Sequence, residues 1–425
     1  MAEHAPKGFA APPSLKDAKW LRQHEAERVF AALAAPGVET RAVGGAVRNA
    51  LLGEAVSEID LATTALPDRV MSLARKAGLK AVPTGIEHGT VTVIVDGMPF
   101  EVTTLRRDVE TFGRHATVAF TENWEEDARR RDFTINALYA GSDGTVFDPL
   151  GGYADLVAGR VRFIGNAEER IKEDYLRILR FFRFNAYYGR GPLDEAGLHA
   201  VVGLRAGLDR LSAERVSAEL KRLLAAPRAM EAVEALFDYG LLPGLLGGVP
   251  RLERLRRLIA IEAALGGDSD PMVGLAALAV FVAEDAERLA ARLRLSNAEQ
   301  AVLALAAADH AEDGLPNEAA AKHALYRLGT GEFAPHVLLA WADSGAPPDD
   351  AAWRAALGVA DRWQPPAFPL RGADIVALGD LEGPEIGLIL RRLEADWAAG
   401  GFALSREALL ARAEALSRKS PRRDR

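Results

Sequence analysis

Glu58 and Asp60 are two carboxylates separated by a single residue. On a strand, positions i and i+2 point to the same face, so both acids are expected to face the same way. Two such carboxylates can hold two divalent ions, which activate an attacking hydroxyl and neutralise phosphates in an in-line displacement. Glu101, near the start of a later predicted strand, is the candidate for a third acid. A solvated strand edge with no chemical role is the alternative for all three.

A glycine turn precedes these acids. Gly44 and Gly45 follow a short predicted strand and open a helical run that contains Arg48. Such a turn lets backbone N–H groups approach a phosphate in front of a helix N-terminus, and Arg48 adds a charged donor. The three residues are therefore candidates for nucleotide binding, although a Gly-Gly pair can also be a purely structural turn.

A second motif follows an arginine run and contains Arg131, Asp132 and Asn136. Arg131 can pair with triphosphate oxygens, because guanidinium donors match phosphate geometry. Asp132 and Asn136 are four residues apart, which places them on one face of a helix predicted from Trp124 to Tyr139. From that face they can bond a ribose hydroxyl and select ribonucleotides. The alternative is a solvated, charged helix face.

A third motif lies on a helix predicted from Ile171 to Arg183, with Asp174 and Arg177 as neighbours on its exposed face. Asp174 can accept from an exocyclic amine, and Arg177 can donate to the adjoining ring nitrogen or oxygen. Cytosine and adenine present that order of groups. Uracil and guanine present the reverse order and would leave buried groups unpaired, at about 1–3 kcal/mol each. One Asp/Arg pair could therefore choose C and A without a template strand, unless the two residues only form an intrahelical ion pair.

The same region is the most basic part of an acidic chain. The 425 residues include 52 Lys and Arg against 60 Asp and Glu, a net charge of −8, which excludes a uniformly basic nucleic-acid coat. Residues 160–190 carry eight basic and four acidic side chains, a local patch suited to RNA. Within it Arg180 and Arg183 are further candidates for nucleotide binding. Arg183 lies opposite Asp174 on the predicted helix and is better placed for phosphate or tRNA than for the base.

Several classes of protein are excluded by what the chain lacks. It has no cysteine, which excludes disulfides, thiolate nucleophiles, zinc ribbons and iron–sulfur clusters. Its longest strongly apolar run, residues 272–283, is shorter than the roughly 17–25 residues that span a bilayer. No signal peptide is visible at the start. We therefore expect a cytoplasmic protein with no membrane partner.

The elements that must position these motifs change character along the chain. Short β-rich runs alternate with helical stretches up to about residue 150, and alanine, leucine and arginine dominate from residue 155. The pattern predicts an α+β fold with a mixed head followed by helices. The predicted strands are residues 41–43, 80–82, 90–95, 99–104, 118–120 and 145–147, and the helices up to residue 139 are 14–35, 66–77 and 124–139.

In their order, the motifs resemble those of the class II tRNA nucleotidyltransferase/poly(A) polymerase family. The chain departs from the family pattern at Asn49, where Asp is usual, and at Glu58, where the first metal-binding Asp is usual. The resemblance covers about residues 37–225 and rests on G-G-A-V-R-N, E-I-D-L-A-T-T, R-R-D-F-T-I-N-A and E-D-Y-L-R.

The resemblance implies a polymerase-β-like nucleotidyltransferase head followed by an all-helical neck, body and tail. The neck would select the base and the tail would contact tRNA. The implied segments are an N-terminal helical segment (1–36), head (37–150), neck (151–226), body (227–365) and tail (366–425).

The resemblance further implies template-independent addition of CCA to the 3′ end of tRNA. CTP and ATP would be the substrates, Mg²⁺ the cofactor held by Glu58 and Asp60, and DNA is not expected as a partner. Residues 106–116 would be a flexible loop that assists the change from C to A addition, or an ordinary surface loop. Two alternatives are a bacterial poly(A) polymerase, which the absence of a basic segment at 84–90 disfavours, and a tRNA-binding protein that has lost catalysis.

Overall fold

A computed structural model describes residues 11–112, 115–267, 270–308, 310, 314–378 and 383–417, with the backbone alone described where it is given between 108 and 118. The chain forms two compact units, Met1–Leu245 and Leu246–Arg425. The finer division into five segments stays a prediction.

A seven-stranded mixed sheet forms the first part of the first unit. Its strand order is β3-β4-β5-β2-β1-β8-β9, and β6 and β7 form a separate hairpin. Only β2 and β5 pair in parallel; the other neighbours are antiparallel. The strands are β1 (Thr40–Val43), β2 (Asp60–Thr63), β3 (Lys80–Gly85), β4 (Thr90–Val95), β5 (Met98–Thr104), β6 (Arg106–Phe112), β7 (His115–Phe120), β8 (Tyr139–Ala140) and β9 (Val146–Phe147).

Helices before, between and after these strands complete the first unit. They are α1 (Lys19–Arg22), α2 (His24–Leu33), α3 (Gly45–Leu52), α4 (Pro67–Lys76), α5 (Trp124–Arg129), α6 (Gly152–Ala158), α7 (Ala167–Glu173), α8 (Leu176–Tyr188), α9 (Glu195–Gly203), α10 (Ala213–Leu224), α11 (Ala229–Asp238) and α12 (Leu242–Leu246). Strand β4 illustrates why the sheet forms, since Val91, Val93 and Val95 alternate with less buried residues and are fully buried against the layer that contains α4.

All of the secondary-structure elements described in the second unit are helices, and turns and loops connect them. Its core around the last three helices is built from Leu370, Ile375, Leu393, Trp397 and Leu409. Within the ranges given above, no helix of either unit combines the length and apolar character needed to cross a membrane. The helices are α13 (Leu252–Leu265), α14 (Pro271–Ala279), α15 (Ala283–Leu293), α16 (Asn297–Ala306), α17 (Glu318–Ser344, kinked at Gly329), α18 (Ala351–Leu357), α19 (Val359–Arg362), α20 (Gly372–Val376), α21 (Gly383–Ala399) and α22 (Arg406–Ser417).

The predicted α+β fold, a mixed-sheet head followed by helices, is confirmed, but two predicted helices are wrong. Helix α5 ends at Arg129, because the Asp132 carboxylate accepts from the Phe133 N–H at 2.8 Å and Phe133 is extended. The helix predicted over 171–183 breaks at Asp174, which is extended and accepts from the Leu176 N–H at 3.1 Å. In both places a short acidic side chain bonds to nearby backbone and competes with the helix.

The structure also corrects three other predicted elements. The loop predicted over 106–116 is largely the β6–β7 hairpin. A register shift between residues 108 and 110 interrupts the alternation of side chains that would identify a strand. Residues 113 and 114 lie outside the described part of the chain. The helix predicted over 14–35 is divided into α1 and α2, because Gln23 is extended. Glu58 precedes β2 rather than lying within it.

Candidate active site

Two of the three predicted acids are neighbours on adjacent central strands, and the third lies just before one of these strands. Asp60 begins β2 and is the register partner of Glu101 on the parallel strand β5. Glu58 and Asp60 are both exposed, while the residue between them, Ile59, is 6% exposed. This alternation gives the two acids a common outward direction even though Glu58 lies before the strand.

Electrostatics shows that these acids act on one another. The pKa of Asp60 is raised, first by desolvation and then by repulsion from Glu101, with a smaller contribution from Glu58; the Arg131 charge opposes the shift. A bound cation would relieve the part of this shift that comes from repulsion by Glu101 and Glu58.

The donor set suits a hard cation, since all three acids offer only oxygen. As they are placed, no three acidic or histidine side chains of the described residues form a group that could hold a metal ion. A metal site here therefore requires the exposed side chains to turn toward one another.

The glycine turn lies beside these acids. Val43 is the register partner of Asp60, and the next residue, Gly44, has φ 69° and ψ −118°, a conformation that side-chain-bearing residues rarely adopt. The Gly44 N–H donates to the Leu138 carbonyl at 3.0 Å, which joins the turn to the segment before β8. Helix α3 begins at Gly45, directly after the end of β1 that pairs with Asp60. The N–H groups at the N-terminus of α3 therefore lie on the same side of the sheet as this acid.

Arg48 is nearly buried, with 7% of the residue exposed. Its Nη2 donates to Asn49 Oδ1 at 3.0 Å and to the Tyr188 hydroxyl at 2.8 Å, and its Nη1 donates to Asn136 Oδ1. Desolvation lowers the pKa of Arg48, against the attraction of Tyr188 and nearby acids. The motif that contains the glycine turn and Arg48 is thus in direct contact with the motif that contains Asn136.

Asp132 is buried and bonded through both oxygens. Its Oδ1 accepts from Asn136 Nδ2 at 2.9 Å, so the predicted contact between these residues exists without the predicted helix. Its Oδ2 accepts from Arg180 Nε at 2.8 Å. Burial alone would raise the pKa of Asp132, but the Arg180 charge and the hydrogen bonds bring it to about 2.

Arg131 is held by two groups that the sequence analysis did not identify. Its Nη2 lies 3.1 Å from Asp127 Oδ2, and its Nε donates to the Tyr139 hydroxyl at 3.3 Å. Tyr139 in turn donates to Asp127 at 2.8 Å. Burial opposes ionisation of Asp127, but the charges of Arg131 and Arg130 lower its pKa to about 2.

These two depressed pKa values predict how the first unit responds to acid. Asp127 and Asp132 titrate near 3.9 when unfolded and near 2 when folded, so their stabilisation is complete above about pH 4 and is lost as the pH falls towards 2. Each carboxylate contributes roughly 2 kcal/mol to the free energy of unfolding. Urea unfolding at a series of pH values should show a loss of stability in this window, with a shallower loss in Asp127→Asn. Constant stability from pH 4 to 2 would contradict the network.

The base-reading candidates lie at the junction of α7 and α8 rather than on one helix face. Asp174 is the residue after α7, and its oxygens lie 3.1 and 2.7 Å from the two terminal nitrogens of Arg215 on α10. Arg177, in the first turn of α8, pairs with Glu173 and donates to the carbonyls of Arg170 and Arg130. The two side chains therefore have separate partners, although both belong to the same junction.

Arg180 and Arg183 converge on a buried acid. Arg183 Nε lies 2.9 Å from Glu219 Oε2, and Arg180 Nη1 lies 3.9 Å from Glu219 Oε1. Glu219 is 2% exposed. Sequence reasoning missed it, although an acid within the apolar stripe of α10, next to Leu220, is a usable signal. A direct contact of Arg183 with phosphate or tRNA stays a prediction.

Two protein families match separate parts of the chain, and two named relatives are similar to it. The family described as Poly A polymerase head domain matches residues 40–162, and the family described as Probable RNA and SrmB-binding site of polymerase A matches residues 193–254. The chain is 36% identical to the CCA tRNA nucleotidyltransferase 1, mitochondrial, of Mus musculus, over 88% of this chain and 86% of that protein. It is 39% identical to the CCA-adding enzyme of Geobacillus thermodenitrificans, over 53% of this chain and 55% of that protein.

A solved structure extends the likeness to nearly the whole fold. The Bacillus stearothermophilus CCA-adding enzyme in complex with CTP has a TM-score of 0.73 and 28% identity, over 93% of this chain and 97% of that one. The resemblance inferred from the motifs is confirmed by these matches. The chain belongs to the class II CCA-adding tRNA nucleotidyltransferase family.

Proposed function

We propose that this protein adds CCA to the 3′ end of tRNA, using CTP and ATP and releasing pyrophosphate. One observation carries the proposal: a continuous set of hydrogen bonds joins the glycine turn to the helix that holds the base-reading arginine. It runs from Arg48 through Asn136 and Asp132 to Arg180 on α8, whose first turn contains Arg177. A single bound nucleotide could therefore meet phosphate, ribose and base donors that are fixed relative to one another.

The acids and the turn are assigned to the chemical step. Glu58 and Asp60, with Glu101 beside them, are the residues that would hold Mg²⁺, which when bound would neutralise phosphate charge and help to ionise the attacking hydroxyl. The backbone of Gly44 and Gly45, with Arg48 and Arg131, orients the triphosphate. The tRNA 3′-hydroxyl attacks the α-phosphate and pyrophosphate leaves.

Asn136 is the better ribose candidate of the second motif. Asp132 accepts two hydrogen bonds at each oxygen within the protein, whereas Asn136 has one bond at its oxygen and one at its nitrogen, which leaves a second amide hydrogen to donate. Asp132 thereby positions Asn136, and the positive charge of Arg180 balances the negative charge of Asp132.

Asp174 and Arg177 are assigned to the base. Asp174 Oδ2 has one partner, Arg215, and a carboxylate oxygen has room for a second donor such as an exocyclic amine. The two contacts from Arg215 hold the Asp174 carboxylate in a fixed orientation for this role. The junction of α7 and α8 would in this way favour C and A over U and G.

CCA addition is preferred to poly(A) synthesis because the curated relatives named above carry CCA activity in their names. The Bacillus stearothermophilus neighbour was also solved with CTP, a nucleotide that poly(A) synthesis does not use. A cytoplasmic location and the absence of a DNA partner stay predictions.

The test is incorporation of labelled CTP and ATP into tRNA transcripts ending before the CCA, after the first C and after the second C. We expect addition of two C and one A, of one C and one A, and of A alone, each dependent on Mg²⁺. An open-ended A tract would instead support the poly(A) alternative. Binding of tRNA without incorporation would support a protein that has lost catalysis.

A further inference from the structure

Tyr188 is a second contact between α8 and the glycine turn, at the opposite end of the helix from Arg177. Its hydroxyl accepts from Arg48 Nη2 at 2.8 Å, and the Arg48 guanidinium carbon lies 4.1 Å from the centre of its ring. The hydroxyl also lies 3.4 Å from Asn49 Oδ1. Tyr188 is half-buried, so neither contact is needed to fill the core.

The partners of Arg48 are all uncharged. They are the side-chain oxygens of Asn49 and Asn136 and the hydroxyl of Tyr188. Asp132 and Glu54 attract the Arg48 charge, but the side chains that the structure describes as hydrogen-bonded to Arg48 are these three neutral ones. The guanidinium is thus oriented from several sides while its positive charge is left for an anion.

Helix α8 also links Tyr188 to the other candidate residues. Arg177, the predicted base reader, lies in its first turn, Arg180 holds Asp132 in the middle, and Tyr188 is the last residue. Thirteen helical residues form one rigid element. The positions of Arg48 and Arg177 are therefore coupled through one body.

We propose that Tyr188 is a positioning residue that fixes Arg48 for the nucleotide triphosphate by a hydroxyl bond and ring stacking. This inference rests on the proposed function. Because the triphosphate is common to CTP and ATP, Tyr188 affects the two nucleotides equally and has no part in choosing the base.

The test compares Tyr188→Phe, which removes only the hydroxyl, with Tyr188→Leu, which removes the ring as well. We expect Tyr188→Phe to raise the KM for CTP and ATP by the same factor, about tenfold, as for loss of one hydrogen bond to a charged group. The kcat and the preference for CTP over UTP should stay unchanged. Tyr188→Leu should raise both KM values further, because cation–π stacking is lost too.

Tyr187→Phe is the matched control. It is the adjacent tyrosine of the same helix, but its hydroxyl donates to the Arg222 carbonyl at 3.1 Å. Its KM values should equal those of the unaltered protein. Unchanged KM values in Tyr188→Phe, unequal changes for CTP and ATP, or an altered base preference would overturn the inference.

Equilibrium binding of CTP separates this inference from the proposed function. If the unaltered protein binds CTP but adds no nucleotide to tRNA, the proposed function fails. A tenfold weaker CTP affinity in Tyr188→Phe then still supports the role of Tyr188, and an equal affinity overturns it.

Discussion

Asp60→Asn is expected to lower the rate of CTP incorporation by about 1,000-fold, the equivalent of roughly 4 kcal/mol in the activation barrier. The substitution keeps the size of the side chain but removes the charge at the point where β2 and β5 bring acids together. The pKa of Asp60 is raised by desolvation first and by repulsion from Glu101 second, so removing this charge should not destabilise the fold. The loss should therefore appear in kcat, measured on a tRNA transcript lacking CCA.

The control for this variant is Asp68→Asn, an exposed acid in the first turn of α4, away from the strand ends. It should incorporate CTP at the unaltered rate. Gel-shift titration should give the same tRNA affinity for the unaltered protein and both variants. Incorporation by Asp60→Asn within tenfold of the unaltered rate would remove Asp60 from the chemical step.

Asp174→Asn is expected to lower kcat/KM for CTP by about 100-fold, because an amide can present a donor where cytosine also has a donor. The same donor suits the oxygen of uracil, so incorporation of UTP should rise relative to CTP. Arg215 Nη1 and the Leu176 N–H can still hold the side-chain oxygen, so the amide nitrogen takes the place of Oδ2, loses the bond from Arg215 Nη2 and offers a donor where an acceptor stood. The measurement is the ratio of kcat/KM for CTP and UTP on one tRNA transcript.

Glu168→Gln is the matched control for the base-reading variant. Glu168 is an exposed acid on α7 that pairs with Lys172, so it shares the helix but not the junction. Its ratio of CTP to UTP incorporation should equal that of the unaltered protein. If Asp174→Asn keeps the unaltered ratio, Asp174 does not read the base.

The bounds of a strand or helix were predicted well where its buried residues recur at a regular spacing along the sequence. Strand β4 has the bounds expected from its alternating valines, and α4 ends within one residue of its predicted limit. The errors arose where a side chain competes with the backbone pattern. Asp132 and Asp174 each bond to nearby backbone N–H groups, and a single sequence does not distinguish such an acid from one on a solvated helix face.

The candidate site was predicted as three separate motifs, and its connections could not be predicted. Asp174 meets Arg215 across 41 residues, and Arg48 meets Tyr188 across 140. Such pairs depend on how α8 and α10 pack on the head, which helix periodicity does not determine. Asp127 was missed for the same reason, and the pattern of α10 could have marked Glu219 as a buried acid but not its arginine partners.

Coupling between the motifs is the main consequence of these contacts. Arg180 bonds to Asp132, Asn136 bonds to Arg48, and Tyr188 contacts Arg48 from the far end of α8. We therefore propose that a substitution on α8 can alter the binding of the triphosphate beside Arg48. The variants at Tyr188 and Asp174 separate the two effects, since one should change affinity and the other should change base choice.

We propose that protein side chains, rather than a template strand, choose the nucleotide. The decisive experiment is a crystal structure of this protein with CTP and Mg²⁺. We expect an Asp174 oxygen within about 3 Å of the cytosine amine, and an Arg177 nitrogen at the same distance from the cytosine ring nitrogen or oxygen. A cytosine bound away from both side chains would contradict it.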